Sequence, residues 1–591
     1  MRVILDNQGR LVYSRPSRLP DDKPVYKCLT FAEILPTLDR TREVVGIRDV
    51  LSETAALDEK GRPIRVEGRE LKKLQLAPKF RWLTIGQVMD RVDAIARGLK
   101  GLGLEKGDKA LIYAENSPEW FFTGLALARL NVVCVTLFST LNDSGVVYGI
   151  NQSDAKVVIT SQYLLPKVLS YADQLPAVEK IVYFENPREP ISLPSDSTIP
   201  VTTLRQIETA GERTPMCEFE KPDPDDIAVI MFTSGTTGDP KGVMISHKQL
   251  FTSVQNMLRM DEEYGSLGQE TDHTAYLPMA HMFGYVVNIA ILSTRGRLGF
   301  CSPFTLLDSS PSHVPGQVGD IKLLKPKYFV AVPLVLERIL KEIYHKLHAR
   351  GPLAPALFNY FMDYKIKWTA KGYDTPIINR LICKRINDQF GGQLKMIGVS
   401  SAPLHERTQS IIAAALNVKI NLAYGSTENC GPASALHIDD LALGSCGVPY
   451  HSFKFFLKDW PEGGYYTTGG RSSDLPRGEI YLGGDSIASG YYKLPEETAA
   501  SFIVDPDGTR WFRTGDIGEM AHNMTLRIID RRKDLMKLAN GEFVSLGKIE
   551  SGLRNSPYVE NICVCTDSFS NYVTALVSPN RKAMNELAKR L

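Results

Sequence analysis

The sequence predicts an α/β protein with helix-covered, mostly parallel sheets, divided into more than one domain. Three observations carry this. The chain has 591 residues, more than one compact core normally organises. Strand-like apolar runs recur at 132–137, 157–160, 181–184 and 227–232 with helical segments between them, the rhythm of parallel strands joined by helical crossovers. Helix starts are marked in the same stretch. Thr84-x-x-Gln87 reads as a capping box ahead of Val88, Val92, Ile95, Leu99 and Leu102 at helical spacing, with Gly103 near the end. Ser117-Pro118 opens a second helix.

Composition narrows the class of protein. Hydrophobic residues make up 43% of the chain, and 69 basic side chains face 67 acidic ones. This balance gives no overall charge that would favour nucleic acid or an acidic membrane surface. Nine cysteines are scattered without a C-x-x-C pair. They read as reduced, mostly buried thiols, with Cys563 and Cys565 sharing one face of a strand. The N-terminus shows no signal-peptide core. The apolar stretch 121–138 contains Arg129 and Asn131, so it reads as a helix followed by a strand, not a membrane span. Residues 1–80 are expected as an N-terminal extension, and 186–225 and 302–320 as surface connections.

The strongest local signal is Thr233-Ser234-Gly235-Thr236-Thr237-Gly238-Asp239-Pro240-Lys241-Gly242, directly after the run 227–232. Glycines let backbone N–H groups approach a polyphosphate, hydroxyls donate to it, and lysine supplies a point charge. It is not a Walker A loop, which needs Ser or Thr after the lysine; Lys241 is followed by Gly242. A second constellation is Tyr424-Gly425-Ser426-Thr427-Glu428. It offers an aromatic face for a purine, a hydroxyl for phosphate, and a hard oxygen ligand suited to Mg²⁺. Upstream, the strand-like run 396–399 ends in Ser400-Ser401-Ala402-Pro403, small enough for a flat base to lie against the backbone. Trp511-Phe512-Arg513-Thr514-Gly515-Asp516 places a carboxylate on a turn after a strand, where it can accept ribose hydroxyls. Asp530-Arg531-Arg532-Lys533-Asp534-Leu535-Met536-Lys537 is a dense charge run at an expected domain junction. His281 lies in the apolar stretch 276–284.

These segments, in this order, resemble the adenylate-forming superfamily, and within it the eukaryotic long-chain acyl-CoA synthetases. The resemblance runs from about residue 25 to the C-terminus. It extends to the segments 46–53, 325–333 and 572–580 and to the long 302–320 loop. It implies a large AMP-binding domain over 81–529 with a small barrel-like subdomain. A hinge would join this to an incomplete α+β domain over 530–591. The implied activity is ATP-dependent activation of a long-chain fatty acid to acyl-adenylate, then transfer to CoA. The alternatives are a ligase for a medium-chain or aryl acid, and a non-catalytic truncated acyl- or nucleotide-binding form.

Carried onto this chain, Thr233 to Lys241 would hold the β- and γ-phosphates, and Thr233 and Glu428 would serve Mg²⁺. Ser401, Ala402, Pro403 and Tyr424 would hold adenine, flanked by Gly425, Ser426 and Thr427, and Asp516 would hold the ribose. Arg531 would approach the nucleotide, Lys533 would be the hinge, and Lys537 would lie near the AMP phosphate or its linkage. His281 would border the acyl carboxylate, and Phe543 would gate the fatty-acid tunnel. The resemblance also implies peripheral contact with a membrane, at the cytosolic face of the endoplasmic reticulum, mitochondrial outer membrane or peroxisome. It leaves the oligomeric state open. The family's lysine near the end of the C-terminal domain has no counterpart here. Weak adenylate formation is therefore expected, from either a fragment or a natural truncation.

Overall fold

The computed structural model describes residues 2–6, 8–15, 30–58, 61–66, 69–192, 197–216, 218–233, 239–264, 270–468, 475–540, 543–554, 556–567 and 570–590. Ser234, Gly235, Thr236, Thr237 and Gly238 lie outside these residues.

An eight-stranded sheet forms the centre. Its order is Val201–Thr203, Lys180–Phe184, Val157–Ser161, Lys109–Tyr113, Val133–Thr136, Ile227–Thr233, Lys241–Ser246 and Gly490–Tyr491. The first six strands are parallel, and the last two each pair antiparallel with the strand before them. The runs predicted from sequence are therefore neighbours in one sheet. Their near-continuous apolar character follows from burial on both faces: Leu111, Ile112, Val158 and Ile159 are fully buried. The helix Ile85–Gly101 has the expected capping box. Thr84 Oγ1 accepts from Gln87 N at 3.2 Å, and Gln87 Oε1 accepts from Thr84 N at 2.9 Å. Ser117 caps the helix Pro118–Leu130, and the strand Val133–Thr136 follows. No helix among the described residues is long and apolar enough to cross a membrane.

Two further sheets combine parallel cores with antiparallel edges. One contains Tyr328–Ala331, Met396–Val399, Lys419–Ser426, Gly431–Ala435 and Val448–Pro449. The other contains Asp272–Ala275, Arg297–Phe300, Glu43–Ile47 and Arg81–Thr84. A seven-stranded antiparallel sheet forms the smaller subdomain. It joins Arg2–Leu5 and Leu11–Ser14 to Phe453–Lys458, Arg477–Gly484, Arg510–Met520, Phe502–Val504 and Leu526–Arg531. Beyond it lie two hairpins and the helices Leu546–Arg554 and Arg581–Arg590.

Three expectations need correction. The 186–225 connection contains an edge strand and the helix Leu204–Arg213, which begins with its own Thr203/Gln206 capping box. Gly211 lets that helix touch Ile85–Gly101: a Cβ there would sit 1.8 Å from the Ala94 carbonyl oxygen. The 302–320 loop is anchored, not merely superficial. Arg48 and Asp320 form an ion pair at 2.7 Å with side chains 3% and 2% exposed, and Thr305 Oγ1 donates to Asp320. The cysteines are less uniformly buried than expected. Cys134, Cys383 and Cys430 are buried, but Cys563 and Cys565 face outward together on Val559–Cys565, while Ile562 and Val564 point inward.

Two buried histidines give the fold a pH dependence. Burial lowers the pKa of His247 to about 4 and of His273 to about 3. His273 packs edge-on against Tyr328 at 6.0 Å, and neither ring nitrogen has a hydrogen-bond partner. A histidine whose folded pKa is depressed favours the folded state above its unfolded value, and that contribution drains away as pH falls below about 6.5. Each histidine is expected to remove about 2 kcal/mol between pH ~6.5 and ~5. Thermal melts across this window check it; His273→Phe should flatten the curve, and an unchanged slope would exclude His273 as a source.

Candidate active site

Thr233 ends the last parallel strand of the central sheet and pairs with Lys241 on the adjacent antiparallel strand. Its Oγ1 donates to the Lys241 carbonyl at 3.4 Å. The lysine side chain then enters a chain of contacts. Lys241 Nζ meets Glu497 Oε2 at 2.5 Å and lies 5.2 Å from the Tyr491 ring centre. Tyr491 Oη donates to Glu428 Oε1 at 3.0 Å. Burial, with the Glu428 carboxylate next, pushes the Tyr491 hydroxyl pKa up, so it remains a donor. The Lys241 ammonium and neighbouring Lys533 hold the Glu497 carboxyl below its ordinary range.

The backbone fixes these groups together. Residues 488–492 thread between the strand Lys241–Ser246 and the single-turn helix Thr427–Asn429. Ala488 N donates to the Glu428 carbonyl at 2.8 Å, Ser489 N to Met244 at 2.9 Å, and Tyr492 N to Gly242 at 2.8 Å. Ser426 and Asn429 close a capping box around the turn that carries Thr427 and Glu428. Gly425 has no substitute there, because a Cβ would lie 1.9 Å from the Gly431 carbonyl oxygen.

A second cluster gathers around Asp516. Tyr424 Oη donates to Asp516 Oδ2 at 2.8 Å, and Arg531 Nε to Oδ1 at 2.9 Å. The expected location of this carboxylate on a turn after a strand is corrected. Asp516 lies inside the continuous strand Arg510–Met520, beside Gly515 at φ +72° and a register shift against Arg477–Gly484. Such a bulge re-aims a side chain without ending the strand. Asp516 pairs in register with Arg531 on the adjacent strand.

Ser401, Ala402 and Pro403 are exposed beyond the C-terminal end of Met396–Val399, the end of a parallel sheet where ligands bind. Ser401 has φ +80°, a left-handed conformation rare for serine and often kept at functional sites. No hydrogen bond among the described residues joins these three to the Asp516 cluster. His281 caps the helix Met282–Leu292, its Nδ1 accepting from Phe283 N at 3.2 Å. Burial lowers its pKa. The neutral ring therefore carries its proton on Nε2 as a donor. Phe138 lies 6.1 Å away.

Lys533 occupies the short helix Arg532–Asp534. Its neighbour Arg532 bonds Glu479 Oε2 at 2.9 Å and lies 4.8 Å from the Trp460 ring centre. Arg513 takes the other Glu479 oxygen, also at 2.9 Å. Lys537 lies over Phe543, whose ring meets Trp460 edge-on at 6.3 Å. Sequence reasoning missed Tyr491, Glu497 and Glu479. The available signal was Tyr491-x-x-x-Pro495-Glu496-Glu497, where proline and two acids mark a helix start.

The donor set fits a hard divalent cation. Tyr491 engages one Glu428 oxygen, and Thr233 contributes a hydroxyl nearby in sequence to Lys241. Mg²⁺ commonly uses one or two protein ligands together with substrate phosphates, and no cluster of three or more His, Cys, Asp or Glu ligands occurs among the described residues.

Known proteins resemble this chain in sequence and fold. Residues 65–492 match the family described as AMP-binding enzyme, and the chain belongs to that family. It is 34% identical to long chain acyl-CoA synthetase 8 of Arabidopsis thaliana over 88% of this chain and 73% of the relative. It is 29% identical to long-chain-fatty-acid–CoA ligase 2 of Schizosaccharomyces pombe over 92% of this chain and 78% of that one. The fold is also that of the adenylation domain of a carboxylate reductase from Mycobacterium chelonae, at 24% identity and TM-score 0.71, covering 96% of this chain and 81% of that one. The AMP-bound adenylation domain of a carboxylic acid reductase from Segniliparus rugosus gives 23% identity and TM-score 0.72, covering 95% and 84%.

Proposed function

We propose that this chain is a long-chain fatty acid–CoA ligase. A fatty carboxylate oxygen attacks the α-phosphorus of ATP, breaking its bond to pyrophosphate and forming acyl-adenylate. CoA thiolate then attacks the acyl carbonyl, and AMP leaves with the electron pair of the broken C–O bond. The observation that carries this reading is the single chain of contacts Lys241–Tyr491–Glu428 beside the Tyr424–Asp516–Arg531 cluster, in a chain whose relatives are named for this activity.

Each residue then has a distinct task. Lys241 and Thr233 hold the terminal phosphates, with Ser234, Gly235, Thr236, Thr237 and Gly238 supplying further donors. Thr233 and Glu428 hold Mg²⁺, which when bound neutralises phosphate charge. Ser401, Ala402, Pro403 and Tyr424 frame adenine, with Gly425, Ser426 and Thr427 completing that wall. Asp516 takes the ribose, and Arg531 steadies its carboxylate. His281 donates from Nε2 toward the acyl carboxylate, and Phe543 borders the acyl path. The part of 530–591 beyond the strand Leu526–Arg531 forms a smaller unit that turns about Lys533 between the two half-reactions, carrying Lys537, on the timescale of other gating motions. The work is positioning and charge neutralisation, because two anions must meet. The enzyme operates at the cytosolic face of an intracellular membrane.

ATP–pyrophosphate exchange across a series of acids tests this. Oleate is expected to support exchange well above hexanoate or benzoate; a preference for short or aryl acids would overturn the assignment.

A further inference from the structure

The helix Leu353–Thr369 is apolar on two faces. One face, with Phe358 and Met362, is buried. The opposite face presents Leu353, Leu357, Tyr360 and Tyr364 at successive helical turns, all exposed, Leu353 by 74%. An ordinary surface helix has one apolar stripe, not two. The neighbouring helical segment adds Ile377, also 74% exposed, and Leu381 one turn further on. Leu357 and Leu381 meet at the wall of one cavity of about 550 Å³, so the exposed side chains of the two segments form one surface.

That surface is strongly cationic. Residues 346–395 contain nine lysines and arginines against three aspartates, an excess of six positive charges in a chain whose net charge is +2. Lys365 is buried against Asn379 and Asn417, and Lys395 lies further along; the other basic residues of the segment are exposed. Asp363 is drawn aside by Arg407 at 2.7 Å, and Asp374 is engaged by Asn379 at 2.7 Å. Tyr364, Trp368 and Tyr373 form an aromatic ladder with centroids 5.9 and 5.5 Å apart, and Lys371 lies 5.3 Å above Trp368. Aromatic rings beside lysines suit a water–lipid boundary: the rings sit among headgroups while the ammonium groups remain wet.

We propose that the face formed by Leu353–Thr369 and residues 376–385 docks this protein onto an anionic lipid bilayer. The apolar side chains enter the headgroup boundary, and the surrounding basic residues meet lipid phosphates and carboxylates. The proposal deepens the long-chain reading and rests on it for its purpose, because the acid substrate partitions into bilayers.

Co-sedimentation of the full chain with lipid vesicles, without ATP or fatty acid, tests the surface itself. The protein is expected to pellet with phosphatidylcholine vesicles containing phosphatidylserine, to bind pure phosphatidylcholine weakly, and to detach as salt rises. Leu353→Glu with Tyr360→Glu, and separately Lys367→Glu with Lys371→Glu, should each weaken binding on the order of tenfold or more. All four side chains are exposed or at the surface, so ATP–pyrophosphate exchange with soluble octanoate should remain at the wild-type rate and report that the variants are folded. Absence of vesicle binding, or equal binding by both variants, would overturn the proposal. So would a solution dimer that these variants convert to monomer, since the face would then join two copies of the chain. Failure of the ligase reading alone would appear differently, as vesicle binding without exchange on any fatty acid.

Discussion

Glu428→Gln is expected to slow acyl-adenylate formation on the order of 10²–10³-fold, the scale seen when one preorganised electrostatic group is removed from a reacting site. The substitution preserves the shape of the side chain and an oxygen that can accept from Tyr491 Oη, now 3.0 Å from Glu428. It removes the negative charge that a hard cation needs from its ligand. Single-turnover release of pyrophosphate measures the effect directly, with thermal stability expected to stay near the wild-type value. Tyr491→Phe makes the comparison sharper. It leaves the charge of Glu428 and removes only the hydroxyl that orients it, so a smaller loss, about 10–100-fold, is expected. Retention of the wild-type rate by the Glu428→Gln variant would make the carboxylate an incidental acid on a turn.

The largest stability effect is expected at Asp320→Ala, at about 3–5 kcal/mol, the cost of leaving a buried charge without its counter-ion. Arg48 directs further donors to backbone, with Nε on the Ala77 carbonyl at 2.8 Å and Nη1 on Val318 at 2.9 Å. It has no second carboxylate to turn to among its hydrogen-bond partners. Burial raises the pKa of Asp320 even though Thr305 and Arg48 favour its charged form. The pair therefore serves to pin the 302–320 loop to the strand Glu43–Ile47 region more than to add net stability. Urea denaturation checks the single variant. Pairing Arg48→Met with Asp320→Leu should recover much of the loss; a single-variant loss below ~1 kcal/mol would show that the pair is already hydrated.

The inner parallel strands of the central sheet were legible in sequence because they are buried on both faces and so appear as unbroken apolar runs. The helix starts at Thr84 and Ser117 were legible for a local reason: a cap is made by residues three apart. The same rule, applied at Thr203 and Gln206, would have found the helix hidden in the 186–225 connection. The outward-facing thiols were harder. Alternation placed Cys563 and Cys565 on one side of a strand, but only the packing of Ile562 and Val564 decides which side is inside. At the site, the motifs were legible because each is a short run of residues contiguous in sequence. Tyr491 and Glu497 reach Lys241 from about 250 positions away, and the Glu479 clasp spans two strands and the Arg532–Asp534 turn. Such contacts are products of tertiary packing and leave only faint local marks.

Glu479 also bears on how the proposed hinge could move. A buried carboxylate is costly when it loses its sole counter-ion, and a joint built on such a pair would resist opening. Glu479 has two, at 2.9 Å each: Arg513 from the sheet that carries it, and Arg532 from the turn beside Lys533. If the turn swings away, Arg532 departs with it while Arg513 stays. The carboxylate keeps a spare partner throughout, and Trp460 offers its face again when Arg532 returns. The junction is thus a latch with a resident understudy, able to unfasten without ever exposing a lone charge to the protein interior.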